Sequence, residues 1–140
     1  MNDRAAFTGD LVMSLIGAGY RLEARLEEAL APLGLSLAKL NVLSHLVEAG
    51  EPLTLSEIAA RLKCVRSNVT QLVDRLEAEG LVRREADPQD RRVIRAVITE
   101  TGRVGQARGA SILERVKGEL GASLAQEDVE ALLRALTRLA

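Results

Sequence analysis

The chain has 140 residues, 47% of them apolar and 28% charged, with a net charge of −1 and a single cysteine. This length supports one domain with a real core, the composition excludes a disordered chain, and one cysteine excludes an internal disulfide framework. Aromatic residues are 1% of the total, so the core must be built from Leu, Val, Ile and Ala, which suits packed helices.

Apolar residues recur at Leu11, Leu15, Ala18, Leu22, Leu26 and Ala29, a helical stripe from Phe7 to about Ala31 that Pro32 and Gly34 end. Ser36 is placed to cap a second helix with Leu37, Leu40, Leu43 and Val47 on one face, and Gly50 closes it. Pro52-Leu53 reads as a short extended connection. Thr54-x-x-Glu57 then forms a capping-box pattern, opening a short helix that buries Leu55, Ile58, Ala59 and Leu62. The turn Lys63-Cys64-Val65 leads into a helix from Arg66 to Glu79, whose Val69, Leu72, Val73 and Leu76 follow the i, i+3, i+4, i+7 rule. Gly80 ends it.

The period then changes from helix to strand. Leu81 to Glu85 and Arg92 to Ile98 read as paired strands around the polar turn Ala86-Asp87-Pro88-Gln89-Asp90-Arg91. Thr99 can cap a further helix reaching towards Gly118; with Gly102, Gly105 and Gly109 inside it, packing rather than propensity must hold it. Ser123-x-x-Gln126 predicts a second capping box, before a last helix that buries Val129, Leu132, Leu133, Leu136 and Leu139. The expected fold is mainly α with a small β-hairpin wing. Residues 36–99 form a winged helix-turn-helix core within a single domain, 1–140. Residues 5–31 and 100–140 supply flanking helices, whose long Leu/Ala stripes one small domain could not cover, so a homodimer is expected.

No apolar run approaches the roughly 20 residues of a membrane span, and the first residues lack the basic-then-apolar layout of a signal peptide. A cytoplasmic protein without a membrane partner is expected. Residues 54–108 carry 11 Lys/Arg against 8 Asp/Glu, a net +3, while the remainder carries 8 against 12, a net −4. A basic middle between acidic flanks suits a module that touches double-stranded DNA.

Two segments carry the candidate chemistry. On the Arg66–Glu79 helix the face opposite the apolar stripe holds Ser67, Thr70, Gln71, Asp74 and Arg75, with Asn68 beside it. Short hydroxyl and amide side chains here can reach base edges and phosphates in a major groove, and the helix N-terminus offers free amides to a phosphate. An ordinary amphipathic surface helix shows the same pattern; the hairpin that follows is what favours a DNA reader. At the hairpin tip, Asp90, Arg91 and Arg92 follow the Pro turn, and an arginine there can enter a minor groove while a carboxylate shapes the loop. Spacing alone does not choose between Arg91 and Arg92.

The segments Thr54-Leu-Ser-Glu-Ile-Ala-Ala-Arg-Leu62, Arg66-Ser-Asn-Val-Thr-Gln-Leu-Val-Asp-Arg-Leu-Glu-Ala-Glu-Gly-Leu-Val82, Asp87-Pro-Gln-Asp-Arg-Arg92 and Thr99-Glu-Thr-Gly102 strongly resemble the MarR family of bacterial regulators. The match is close over the central half, and the flanking helices match in length and pattern. The resemblance implies a homodimer on a pseudo-palindromic operator, released by a small phenolic or anionic effector in a cleft between dimerisation and DNA-binding regions. It places the wing's Asp-x-Arg element on Asp90 and Arg92, favouring Arg92 for the minor groove. One departure is visible: Val65 stands where the family has a Ser or Thr cap, and Lys63 where it often has Gly. Lys63 can add a phosphate contact.

Cys64 raises a redox-switched alternative, although oxidant sensors of that family generally carry the reactive cysteine in the first helix, where this chain has none. A structural thiol that packs as a small hydrophobe is the simpler reading. His45 is the single histidine, so no His/Cys cluster predicts a metal, and His45 and Tyr20 are the only residues singled out for ligand contact. No nucleophile pair or phosphate-binding glycine loop points to an enzyme, and no cofactor is expected. A winged-helix protein-interaction module is the alternative from a different class.

Overall fold

Short-range signals set the boundaries of the first helices. The computed structural model describes residues 3–64 and 66–139, with side-chain packing for residues 9–64 and 67–139. Helix α1 (Asp3–Leu30) runs into a single 3₁₀ turn at Ala31–Leu33 that Gly34 stops in the left-handed region, at φ 68°. Ser36 accepts the free amide of Lys39 and opens α2 (Leu37–Ala49), and Gly50 closes it at φ 66°. The Glu27 carboxylate of α1 accepts the Leu37 amide at 3.1 Å, which joins the end of one helix to the start of the next.

Strand β1 (Leu53–Thr54) leads directly into α3 (Leu55–Leu62) through the predicted capping box. Thr54 accepts from the Glu57 amide at 3.1 Å and Glu57 accepts from the Thr54 amide at 2.7 Å. Helix α4 (Arg66–Ala78) follows, then β2 (Val82–Ala86) and β3 (Ile94–Ile98). The sheet is antiparallel in the order β1-β3-β2, with Leu53 opposite Ala96 and Arg84 opposite that same Ala96. The short extended segment expected at Pro52-Leu53 is thus observed as Leu53–Thr54, and its pairing with β3 makes it the third strand of the sheet.

The core is aliphatic, as the composition requires. Leu30, Leu40, Val42, Leu43, Leu46, Ile58, Val69, Val73 and Leu76 are essentially inaccessible, and Val82 and Ala96 cover them from the sheet. Each such side chain gains about 1.5–3 kcal/mol from leaving water. Helix α2 buries a wider arc than its predicted stripe: Val42 and Leu46 are inside, while Leu37 and Val47 are half-buried at its edge.

Helix α5 (Glu100–Ala122) begins at the Thr99 cap, runs past the expected end at Gly118, and carries its glycines at points of close approach. A methyl group on Gly102 would stand 2.0 Å from the Leu81 carbonyl oxygen, and one on Gly109 would stand 2.8 Å from Leu40 Cδ1. These glycines are what lets α5 lie down on the wing junction and on α2.

The C-terminal segment corrects one expectation. Ser123 does not cap α6 (Gln126–Thr137); its hydroxyl donates to the Leu120 carbonyl and finishes α5 instead. Ala125 occupies the N-cap, without a side-chain bond. The cause is the extra turn of α5, which draws Ser123 into the preceding helix. Leu132, Leu133, Leu136 and Leu139, like Leu11, Val12, Ile16 and Leu22 of α1, are exposed in the single chain, as stripes that await cover from a second copy would be. Among the described residues no single helix is long and apolar enough to cross a membrane.

Candidate nucleic-acid interface

Helix α4 presents three stripes. Val69, Val73 and Leu76 face the core, with Leu72 half-buried. Ser67, Asn68, Gln71 and Arg75 form an exposed stripe of hydroxyl, amide and guanidinium groups. The third stripe, at Thr70, Asp74 and Glu77, meets the hairpin. There the Arg84 guanidinium of β2 donates to Asp74, to Glu77 at 3.2 Å and to the Thr70 carbonyl at 3.4 Å. The Arg84 backbone amide also donates to Glu77, at 2.8 Å. Thr70 and Asp74, which sequence projection assigns to the outward face, thus sit on the stripe that meets the wing, and the Thr70 side chain is half-buried. Val65 and the Arg66 side chain lie outside the described residues.

The far end of α4 is held from another direction. Lys39 on α2 donates to Glu79 at 2.6 Å and to the Gly34 carbonyl at 3.3 Å.

Two aspartates shape the wing tip. Asp87 accepts the amides of Gln89 and Asp90 at 2.8 and 3.3 Å, and its own amide donates to the Val93 carbonyl. Asp90 accepts both the backbone amide and Nε of Arg92, each at 3.1 Å. Those bonds from Arg92, side chain first and backbone second, hold the Asp90 carboxyl below the ordinary aspartate pKa. The Arg92 side chain remains 91% exposed, so the carboxylate aims it without covering it. Arg91 is exposed and makes no ion pair among the described residues. Behind the loop, Arg95 pairs with Glu85 at 2.6 Å and lies 3.8 Å from Asp87.

The turn between α3 and α4 is strained at one residue. Lys63 has φ 52° and ψ 42°, the only non-glycine residue with positive φ among the described residues, and its amide donates to Ala59 and Ala60 as a helix cap. A Cβ in this region costs roughly 1 kcal/mol relative to glycine. Lys63→Gly is therefore expected to raise the thermal midpoint by about 3 °C, measured by calorimetry, even though it removes an exposed cation.

Cys64 is half-buried against the core. It also lines an open cavity of about 400 Å³ between α2 and α4, together with Ala38, Asn41, Asn68, Gln71 and Arg75. A second cavity of similar volume lies between α1 and α5, walled by Leu22, Leu120 and Leu124 with Arg21 and Arg25 at its edge. His45 and Tyr20 line neither: His45 stands 3.5 Å from Glu48 on its own helix, and Tyr20 is exposed. Among the described residues no three His, Cys, Asp or Glu side chains converge on a point that would hold a metal ion.

A family model described as MarR family matches residues 33–93, the segment holding α2, the helix pair, β2 and the wing loop. The transcriptional repressor CouR, solved on a 23-mer DNA duplex, is 31% identical over 90% of this chain and 89% of its own, with a TM-score of 0.79. The chain belongs to the MarR family. A MarR-family transcriptional regulator from Rhodococcus sp. RHA1 superposes with a TM-score of 0.77 at 26% identity, covering 94% of this chain and 93% of that one. The HTH-type transcriptional repressor MdtR of Bacillus subtilis is 36% identical over 66% of this chain; the matched region spans 59% of MdtR. CouR from Rhodococcus jostii RHA1 has also been solved bound to p-coumaroyl-CoA, at 27% identity, 94% and 92% coverage and a TM-score of 0.76. The winged helix-turn-helix of this MarR-family chain was legible in its sequence, whereas the choice of Arg92 beside Asp90 came only from the family resemblance. Arg84 and Asp87 were not named as site residues. The signal for Arg84 was present: carboxylates at i and i+3 on α4, followed by an arginine on the next strand.

Proposed function

We propose that this chain is a homodimeric transcriptional repressor, not an enzyme, that reads an inverted-repeat operator in the cytoplasm and is released by a small phenolic or anionic molecule. The observation that carries the reading is the pairing of two surfaces. Exposed Ser67, Asn68, Gln71 and Arg75 on α4 suit a major groove, and the exposed Arg92 of the wing suits a minor groove. Lys63, Arg66 and Arg91 complete the set as phosphate contacts. Sequence kinship with repressors, one of them solved on DNA, supports the same reading.

The test is binding to inverted-repeat duplexes enriched by the protein from a random pool, followed across salt concentrations. Each phosphate contact should contribute about −0.9 to the slope of log affinity against log salt. A protein-interaction module would enrich no duplex, or bind without salt dependence.

The exposed leucines of α1 and α6 support the dimer, since contiguous apolar surface of this kind marks an association site. Leu136→Asp is expected to sediment as a monomer and to weaken duplex binding by at least about 100-fold, because one subunit spans a single half-site. A dimeric Leu136→Asp protein with unchanged affinity would remove α6 from the interface. For the effector, the cavity between α2 and α4 offers an apolar floor with Asn41, Gln71 and the Arg75 guanidinium at its rim. A molecule there would occupy the side chains that read DNA, so release would follow from direct competition.

A further inference from the structure

We infer that Arg84 is a positioning residue that sets the angle between the α4 reading stripe and the wing without touching DNA itself. The inference rests on the DNA-binding reading above and names a residue outside both reading surfaces.

Three observations carry it. First, the guanidinium is already committed: Asp74, Glu77 and the Thr70 carbonyl take its donors, and its side chain is 24% exposed against 91% for Arg92. Second, Thr70, Asp74 and Glu77 stand at i, i+4 and i+7, so a single stripe of α4 lies along β2. Third, β2 is an edge strand of the sheet, and the Glu77 carboxylate takes the Arg84 amide as well as its side chain. Glu77 therefore holds the strand by backbone and side chain together, a grip that fixes orientation and not merely distance.

Arg84 lies on the same strand arm that leads, through Ala86 and Asp87, to Asp90 and Arg92. A rotation at Arg84 is therefore carried out to the loop tip. Phosphate and base contacts made from two elements need both elements in register, so a strut between them acts on both. Asp74 and Glu77 also bear on the sign of the effect. Two carboxylates close to a DNA-reading stripe repel phosphates, and by charge alone their removal would tighten binding. As anchors for Arg84, their removal loosens it.

The experiment uses the full-length protein and a duplex enriched by the wild type from a random inverted-repeat pool. Arg84→Met is expected to weaken binding about tenfold with the wild-type salt slope retained, since no phosphate contact is lost. Asp74→Asn, which keeps the fold and removes a negative charge, is expected to weaken binding as well. Arg92→Ala should cost less in the Arg84→Met background than alone, because a misaligned wing keeps the Arg92 charge beside the phosphates but loses its fit in the minor groove. A salt slope reduced by about 0.9 per arginine, tighter binding by Asp74→Asn, or multiplicative effects of the two arginine substitutions would each overturn the inference.

Amide exchange in DNA-free protein separates this inference from the one beneath it. Arg84→Met should speed exchange across β2 and the wing while leaving α2 protected, and unchanged exchange overturns the strut. If the wild type enriches no duplex, the DNA-binding reading fails on its own evidence, and the strut for DNA fails with it while the clamp's exchange signature is still measured.

Discussion

Arg92→Ala is expected to weaken binding to the enriched duplex by roughly 100-fold, because a two-fold dimer loses two minor-groove contacts at once. The salt slope should fall by about 2, near one for each lost cation. The size of the effect follows from how the side chain is presented. It is 91% exposed and already aimed by Asp90, so less rotamer freedom is lost when DNA arrives. Arg91 is also exposed but has no ion-pair partner among the described residues to orient it, and Arg91→Ala should cost less, uniformly across sequences. Equal losses for the two substitutions would remove the special role of Arg92.

The same pair sets the pH behaviour of the wing. Folding lowers the Asp90 pKa, so the stabilisation it brings is fully present above the ordinary aspartate value and is lost as pH falls through the lowered one. Neutral and mildly acid solutions leave the loop intact. A carboxyl titration followed by NMR should place Asp90 below the ordinary aspartate value, and Arg92→Ala should return it towards that value.

Gly102→Ala is expected to lower stability by about 3 kcal/mol and the thermal midpoint by about 10 °C. The added carbon would stand 2.0 Å from the Leu81 carbonyl oxygen, 2.8 Å from Ile98 Cγ1 and 3.0 Å from the Leu81 carbonyl carbon. That oxygen already accepts the Thr99 amide at 3.1 Å, so it cannot retreat without breaking the bond that ties the cap residue of α5 to Leu81. Gly105→Ala is the internal control. Its carbon would meet only Leu81 Cδ2, at 3.8 Å, and should gain up to about 1 kcal/mol of helix propensity. Calorimetry on the two variants reads the difference directly, and a neutral Gly102→Ala would mean that α5 sits further from the wing than described.

Most of the architecture was readable because its determinants are local. Ser36, the Thr54/Glu57 box, Thr99 and the left-handed glycines at 34, 50 and 80 each act within a few residues. The β1–β3 pairing was not readable, since two residues carry no period and their partner lies some forty positions away. Ser123 misled for a related reason: a capping pattern says where a helix could begin, and only packing along α1 decides where the previous one ends. At the site, the exposed stripe of α4 followed from helical projection. The transfer of Thr70 and Asp74 to the wing-facing stripe did not, because it depends on Arg84 arriving from a separate strand. The leucines of α6 were correctly read as needing cover, but a single chain does not provide it.

The Glu77–Arg84 amide bond has one more consequence, for solubility. An open strand edge is a template on which other chains can add, and proteins commonly defend such edges with charge or cover. Here the defence is the Glu77 carboxylate, which takes an edge donor of β2, flanked on the strand by the charged Arg83 and Glu85. Any replacement of Glu77 that cannot accept a hydrogen bond leaves this donor bare. Such a variant should form β-rich aggregates faster on mild heating than one altered at the more exposed Glu48, so the carboxylate that docks the reading helix also keeps neighbouring molecules apart.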